Sequence, residues 1–588
     1  MNESSGVFMK ISAYLRRFFL PLILIFSFLA GSGAGLFSRQ YILSENRKFS
    51  HYTRQIFLNE ITSSTLNLHY TLAHPEDYGI RAASVSLGEV KEDNETACSI
   101  LENYEQGIRN FSYDQLSEEN QITFDTLLLY FHTLQESQNY PYMEEILSPS
   151  LGIQAQLPVL FAEYTFYDKQ DIEDYLALLC QTDRYFQSIV EYEQERSRRG
   201  YFMNDTCLNG ILTQCSEFIE HPESNYLIGT FEDKIKTANF LSKKERQDYI
   251  EQNQSAVLKH LIPAYQLLIK NLAQLQGTCQ NEKGLFYFPN GKEYYVYLLK
   301  TEVGVYDSPD SIRQQLFAQL TEDYTEMGQL LSRKPTLVSD ALHSSYKLES
   351  PESAVEELQE AFSTDFPVLN AEYQVKYVDD SLEDFLSPAF YLTPPVDTMS
   401  PNTIYINQAN RTSDLELYTT LAHEGFPGHL YQTQYFHHSK PNLSRYLPNF
   451  SGYIEGWATY VEPYAYSYAK EDSDLTRFLW LNRSINLCLY SLIDLGTHYY
   501  GWSLENVQHY LLNFGITNEQ IVGQIYQSIL ENPVNYMKYY LGYLNFKHLR
   551  EEMQTLQGDS FQLKKFHEQI LSIGPTQFPV LRKHLGLS

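Results

Sequence analysis

The chain of 588 residues reads as a mainly α protein, a large helical ectodomain with a small β-sheet beside its reactive helix. Three observations predict this. Long stretches repeat apolar residues near a 3.6-residue period, as in amphipathic helices. Only two short pieces are strand-like, and the second of them alternates. No fixed-period repeat, low-complexity tract or Gly/Ser linker interrupts the pattern, so two lobes meeting near residue 300 (39–300 and 301–588) describe the chain better than a string of small domains.

The elements follow in order. Residues 1–17 carry Lys10, Arg16 and Arg17 and precede an uncharged run from Phe18 to Ser38. A helix needs roughly 20 apolar residues to cross the hydrocarbon core, and this run reaches that length. A secretory signal has an apolar stretch of only about 7–15 residues before small residues at the cleavage point, which Ser32-Gly33-Ala34 would supply. Length favours the uncleaved anchor, and in either case the basic tail stays in the cytoplasm and the rest lies outside. No cysteine follows the run closely enough to carry a lipid.

Ser117–Ser137 places Ile122, Phe124, Leu127, Leu128, Phe131 and Leu134 on one helical face. Lys244–Gln276 continues the helical pattern, interrupted at Pro263. Ser308-Pro309 and Ser350-Pro351 read as helix starts, with serine capping and proline in the first turn. The strands are Glu372–Val378 and Thr403–Asn407, and the proline-rich stretch Ser387–Pro401 between them reads as a surface connection.

Composition narrows the function. Against 43 Lys+Arg stand 73 Asp+Glu, a net charge of −30, which repels phosphate backbones and argues against nucleic-acid partners. Hydrophobic residues at 43% and aromatics at 14% exclude wholesale disorder. The six cysteines (Cys98, Cys180, Cys207, Cys215, Cys279, Cys488) are scattered; outside the cytoplasm they permit up to three disulfides, and their spacing offers no metal cage.

The chemistry concentrates in Leu417–Gln434, LYTTLAHEGFPGHLYQTQ. His423-Glu424 is followed by His429, six residues after the first histidine. On an unbroken helix, histidines four apart share a face and can reach one metal, whereas six apart they diverge by about 120°. Pro427 lacks the N–H that would continue the helix, and Gly425 and Gly428 tolerate an outward loop, so His429 can return to the metal side. The alternative is a helix that stops at Gly425, with His429 opening the next. His437 and His438 are nearby and could substitute as ligands or lie at the surface. Glu455, in GYIEGWATYVEPY, is the candidate third ligand of a tetrahedral site that keeps one open position. Glu462, two turns further, could orient a histidine through its second nitrogen, and Glu424 stays free as general base.

These residues resemble a known bacterial family, domain-of-unknown-function family 885, regarded as zincin-like metallopeptidases. Its two motifs correspond to His423-Glu424-Gly425-Phe426-Pro427-Gly428-His429 and to Glu455-Gly456-Trp457-Ala458-Thr459-Tyr460-Val461-Glu462. SPAFYLTPP (387–395), DLGTHYYGW (494–502) and NPVNYMKYYLG (532–542) are similar to further family elements, the first of which would flank the substrate cleft. The resemblance implies His423, His429 and Glu455 as ligands of one Zn2+ per chain and Glu424 as base. It adds His498 and Tyr539 as donors to the oxyanion. Tyr540 stands where the family often has lysine, which leaves Arg445, Arg477 or Arg483 to grip a substrate carboxylate.

The expected function is therefore a zinc-dependent metallopeptidase cleaving peptides outside the membrane. The other readings are a membrane-anchored binding or sensory protein with a structural or vestigial zinc site, and a cell-wall amidase using the same residues.

Overall fold

A computed structural model describes residues 44–80, 85–91, 94–150, 152–343, 346–378, 387–409 and 413–587. The apolar run Phe18–Ser38 lies outside these residues; among those described, no helix is long and apolar enough to cross a membrane. The fold is mainly α with one three-stranded sheet.

Helix α1 (Glu118–Leu134) starts after Ser117 and buries Ile122, Leu127 and Phe131. The next helical region is continuous in direction but not in type. Helix Lys243–Ala256 passes through one π-turn, Val257–Leu261, and resumes as Ile262–Ala273. The π-turn accommodates Pro263, which lies in the first turn of the resumed helix, where its missing N–H costs least. Ser308 Oγ accepts from the Ser311 N–H to open α2 (Pro309–Arg333), and Ser350 and Ser353 cap each other at the start of α3 (Pro351–Ala361).

The sheet comprises β1 (Gln374–Tyr377), β2 (Ala389–Leu392) and β3 (Thr403–Ile406), in the order β1-β3-β2. β3 is parallel to β1 and antiparallel to β2, and it is buried along its whole length. Strand β2 corrects the reading of Ser387–Pro401 as a surface connection. Ala389-Phe390-Tyr391-Leu392 is a short run of strand formers inside proline-rich sequence, and pairing with β3 decides its conformation.

After the sheet come α4 (Asp414–Glu424), α5 (His429–His438), α6 (Ser451–Tyr468), α7 (Ser473–His498), α8 (Glu519–Glu531) and α9 (Asn535–Gln557). The buried apolar residues form two large clusters. One gathers Leu87 to Leu272, and the other runs from Leu285 through Ile404 and Leu421 to Leu587, with Ile122 and Met143 joining it from earlier in the chain. α6 and α9 cross at the centre of the second cluster, where glycines replace side chains. A Cβ on Gly456 would lie 2.5 Å from the Gly542 backbone, and one on Gly542 would lie 2.1 Å from the Gly452 carbonyl oxygen. The six cysteines are all free thiols, so no disulfide braces the fold.

Candidate metal centre

The site begins at the end of α4. Ser413 caps that helix by accepting from the Glu416 N–H, and Leu415, Tyr418, Leu421 and Ala422 bury its inner face. Helical bonding stops with Gly425 N–H donating to Leu421 O at 2.8 Å. Two longer links then carry the chain across, Gly428 N–H to Ala422 O at 3.0 Å and Tyr431 N–H to Gly425 O at 3.1 Å. The backbone passes so close to itself that a Cβ on Gly428 would lie 1.8 Å from the His423 carbonyl oxygen. The Phe426–Pro427 peptide is cis. The indole N–H of Trp457, a fully buried side chain on α6, donates to Pro427 O at 2.9 Å and ties this crossing to the second motif. Losing such a side chain costs about 3–5 kcal/mol. The helix thus ends at Glu424 and a new one begins at His429, rather than one helix bulging. The break itself turns His429 back toward His423.

The two imidazole rings stand 4.8 Å apart at 89°. Glu455 Oε2 lies 3.4 Å from His423 Nε2 and 3.4 Å from His429 Nε2, and one ligand atom from each of the three residues falls within 4.8 Å of the others. Donors about 2.0–2.1 Å from a tetrahedral ion are about 3.3 Å apart, so the spacing fits a zinc-sized ion. The opposite nitrogen of His423, Nδ1, is 3.0 Å from Glu462 Oε1. Arg483 backs Glu462 with a two-point ion pair, its Nη2 at 2.8 Å from Oε1 and its Nε on Oε2.

The charges agree with this layout. Burial alone would lower the His423 imidazole, but Glu455 and Glu462 outweigh it and push it up to about 10. Burial would raise the Glu462 carboxyl, yet Arg483 and His423 hold it down to about 2. Glu455 is likewise held well below the usual carboxylate range by the two histidines, against burial. Three carboxylates (Glu424, Glu455, Glu462) face two imidazoles and one guanidinium, a surplus of negative charge that suits a divalent cation.

Glu424 is not among the three converging ligands. Its Oε2 accepts from the Tyr391 N–H of β2 at 2.9 Å, which holds the carboxylate beside the ligands. Tyr539, in the second turn of α9, lies with its ring 6.2 Å from that of His423 at 24°. Burial, then Glu455 and Glu424, raise its phenol well above the ordinary value, so the hydroxyl keeps its proton.

His498 is different, and the expectation of an oxyanion donor there is corrected. Its ring is 1% exposed, Nδ1 accepts from the Leu285 N–H at 3.1 Å and Nε2 donates to Ile529 O at 2.9 Å. Both nitrogens are taken by main chain, and burial depresses the imidazole to about 4, so it is a neutral structural residue. Arg445 is also unavailable, buried and donating to Ile573 O and Pro575 O, while Arg477 pairs with Glu326. Only Arg483 of the three arginines borders the site. His437 and His438 hydrogen-bond to Tyr446 and to Gln434 O at the far end of α5 and do not join the ligand group. Two partners escaped the sequence reading, the Tyr391 N–H on Glu424 and Arg483 on Glu462. A main-chain donor has no residue signature, though the spacing of Glu462 and Arg483 on successive helices offered a faint one.

Comparison with known proteins agrees with the fold. None of the curated proteins matches this chain. Chains of known structure do, among them these two. One, described as a candidate lipoprotein of Colwellia psychrerythraea, superposes with a TM-score of 0.81 at 21% identity, over 93% of this chain and 99% of that one. The other, described as a candidate lipoprotein of unknown function from Shewanella oneidensis, gives 0.60 at 14% identity, over 91% and 99%. At these identities the likeness concerns the fold. The model of a bacterial protein family of unknown function, DUF885, matches residues 81–585, and the chain belongs to that family.

Proposed function

We propose that the protein is a zinc-dependent peptidase acting outside the membrane. The observation that carries this reading is the convergence of His423, His429 and Glu455 at ligand spacing with an uncommitted carboxylate, Glu424, held beside them. A structural metal site has no use for that carboxylate, whereas hydrolysis requires a base. When bound, zinc supplies Lewis acidity and makes water acidic enough to lose a proton near neutral pH.

The chain's own residues do the rest. The Tyr391 N–H orients Glu424, which takes a proton from the attacking water and returns it to the leaving nitrogen. The Tyr539 hydroxyl donates to the substrate carbonyl oxygen as charge builds there, a contribution worth about 3–4 kcal/mol for one well-placed donor. Glu462, backed by Arg483, fixes the tautomer and ring plane of His423. The apolar run Phe18–Ser38 keeps or sends the catalytic part outside. The solved neighbours are described as candidate lipoproteins, which supports a membrane-associated or extracellular setting.

Elemental analysis of the purified full-length chain, beside His429→Ala and Glu424→Gln, tests the reading. About one zinc per chain is expected in the unaltered protein and in Glu424→Gln, and none in His429→Ala. A peptide-library digest is expected to show cleavage that Glu424→Gln abolishes. No stoichiometric metal, or cleavage that survives Glu424→Gln, would overturn it.

A further inference from the structure

The D-x-x-x-H element of α7, Asp494 and His498, lacks the substrate-facing role expected of His498, yet it is completely buried and polar. With Ser491 it forms one face of α7, at spacings of three and four residues. All three side chains hold main-chain atoms between residues 529 and 536, from the last turn of α8 into the first turn of α9. His498 Nε2 donates to Ile529 O at 2.9 Å. Asp494 Oδ1 accepts from the Val534 N–H at 3.3 Å, and also from the Tyr295 hydroxyl. Ser491 Oγ donates to Tyr536 O at 3.2 Å.

The middle residue of this segment is conformationally costly. Val534 caps α9 with φ +62°, the left-handed region that a β-branched side chain disfavours. Such a conformation persists where surrounding contacts over-determine it, and the α7 face supplies them. Helix α9 leaves Val534 directly, and Tyr539 follows five residues later, about 7.5 Å along the axis.

We propose that Ser491, Asp494 and His498 form a polar rail that sets the direction in which α9 starts, and so where the Tyr539 hydroxyl lies at the metal centre, with Asp494 the principal positioning residue. Its consequence for turnover rests on the peptidase reading; its structural content does not. The rail holds α9 at its start, and the Gly456–Gly542 crossing holds it one turn beyond Tyr539.

The test uses the full-length, zinc-loaded chain as Asp494→Ala, Asp494→Asn, Ser491→Ala, Tyr539→Phe and the Asp494→Ala/Tyr539→Phe double variant. Amide hydrogen exchange over residues 529–540 is expected to quicken at least tenfold in Asp494→Ala, with α6 unchanged. Asn keeps an acceptor oxygen for the Val534 N–H, so Asp494→Asn should exchange as the unaltered chain does. Ser491→Ala, a milder change that keeps the measurement usable if Asp494→Ala does not fold, should quicken the same residues about threefold. With a cleaved peptide, kcat should fall at least tenfold in Asp494→Ala at full zinc content, and the double variant should be no slower than Tyr539→Phe alone. Unchanged exchange over 529–540, or kcat losses that multiply in the double variant, would overturn the proposal. If no peptide is cleaved by the unaltered chain, the peptidase reading fails, and the exchange measurement still decides whether the rail exists.

Discussion

Gly456 on α6 and Gly542 on α9 meet backbone to backbone, and a methyl group on either would come within 2.5–2.7 Å of the other's main chain. This contact joins the two motifs mechanically. Gly456 is the neighbour of Glu455, and Gly542 lies one turn beyond Tyr539, so the closest approach of the two helices brings a candidate metal ligand and a phenol to the same place. The first prediction follows from it. Gly542→Ala forces the helices apart and is expected to destabilise by about 1–3 kcal/mol. Gly523 lies in α8 with nothing within 4 Å of a built Cβ, and there alanine is expected to stabilise by about 0.5–1 kcal/mol. Urea unfolding of both variants checks the pair, and a Gly542→Ala chain as stable as the parent would refute the close crossing.

The helices were legible where one local signal decided them, as at Ser308-Pro309 and Ser350-Pro351, whose serine caps act within four residues. The metal-ligand candidates were legible because histidine and glutamate announce their chemistry by type, and because Pro427 and the two glycines announce a break. Strand β2 was not, since four residues among prolines take their conformation from pairing with β3. Nor was the setting of His498. A histidine in an aromatic stretch looks the same whether it meets substrate or main chain, and its partners at Leu285 and Ile529 are remote in sequence.

Zinc affinity should depend on a residue that never touches the metal. Glu462 is buried between His423 and Arg483, and fixes the ring whose far nitrogen points at the centre. Glu462→Gln is expected to weaken zinc binding 10–100-fold, the usual effect of removing such a partner. Competition against a chromophoric chelator measures it. Affinity within twofold of the parent would mean that packing alone orients His423.

Stability should carry the signature of one buried acid. Burial pushes the Asp494 carboxyl from 3.8 up to about 7, with the Tyr295 hydroxyl and the Val534 N–H opposing that rise. The folded state therefore holds this proton more tightly than the unfolded chain. The stabilisation is fully present below pH 3.8, declines as pH rises, and is gone above about 7. It amounts to at most about 4 kcal/mol. Asp494→Asn cannot ionise, so the difference in unfolding free energy between it and the parent should change steadily from pH 4 to 7 in favour of Asn. A difference that stays flat across that window would place the ionised carboxylate in the fold.

Adjacent tyrosines on α9 should part company. Tyr539 faces the metal centre, half-buried, with its ring 6.2 Å from His423. Tyr540, one residue on, points about 100° away and is fully buried, its hydroxyl 2.8 Å from Ser484 Oγ and 3.3 Å from Asp323 Oδ2. In the proposed mechanism the Tyr539 hydroxyl is a donor needed only as charge develops on the substrate. Tyr539→Phe should therefore lower kcat by about 10²–10³ while zinc content and stability hold. Removing the Tyr540 hydroxyl takes one hydrogen bond from a buried pair, Ser484 and Asp323, that still bond to each other, which costs about 0.5–1.5 kcal/mol of stability and should leave kcat near that of the parent. Steady-state kinetics and urea unfolding on both variants separate the two roles. If Tyr540→Phe slows turnover as much as Tyr539→Phe does, the hydroxyl of Tyr539 is not the donor, and the two residues act through the packing of α9 against α7.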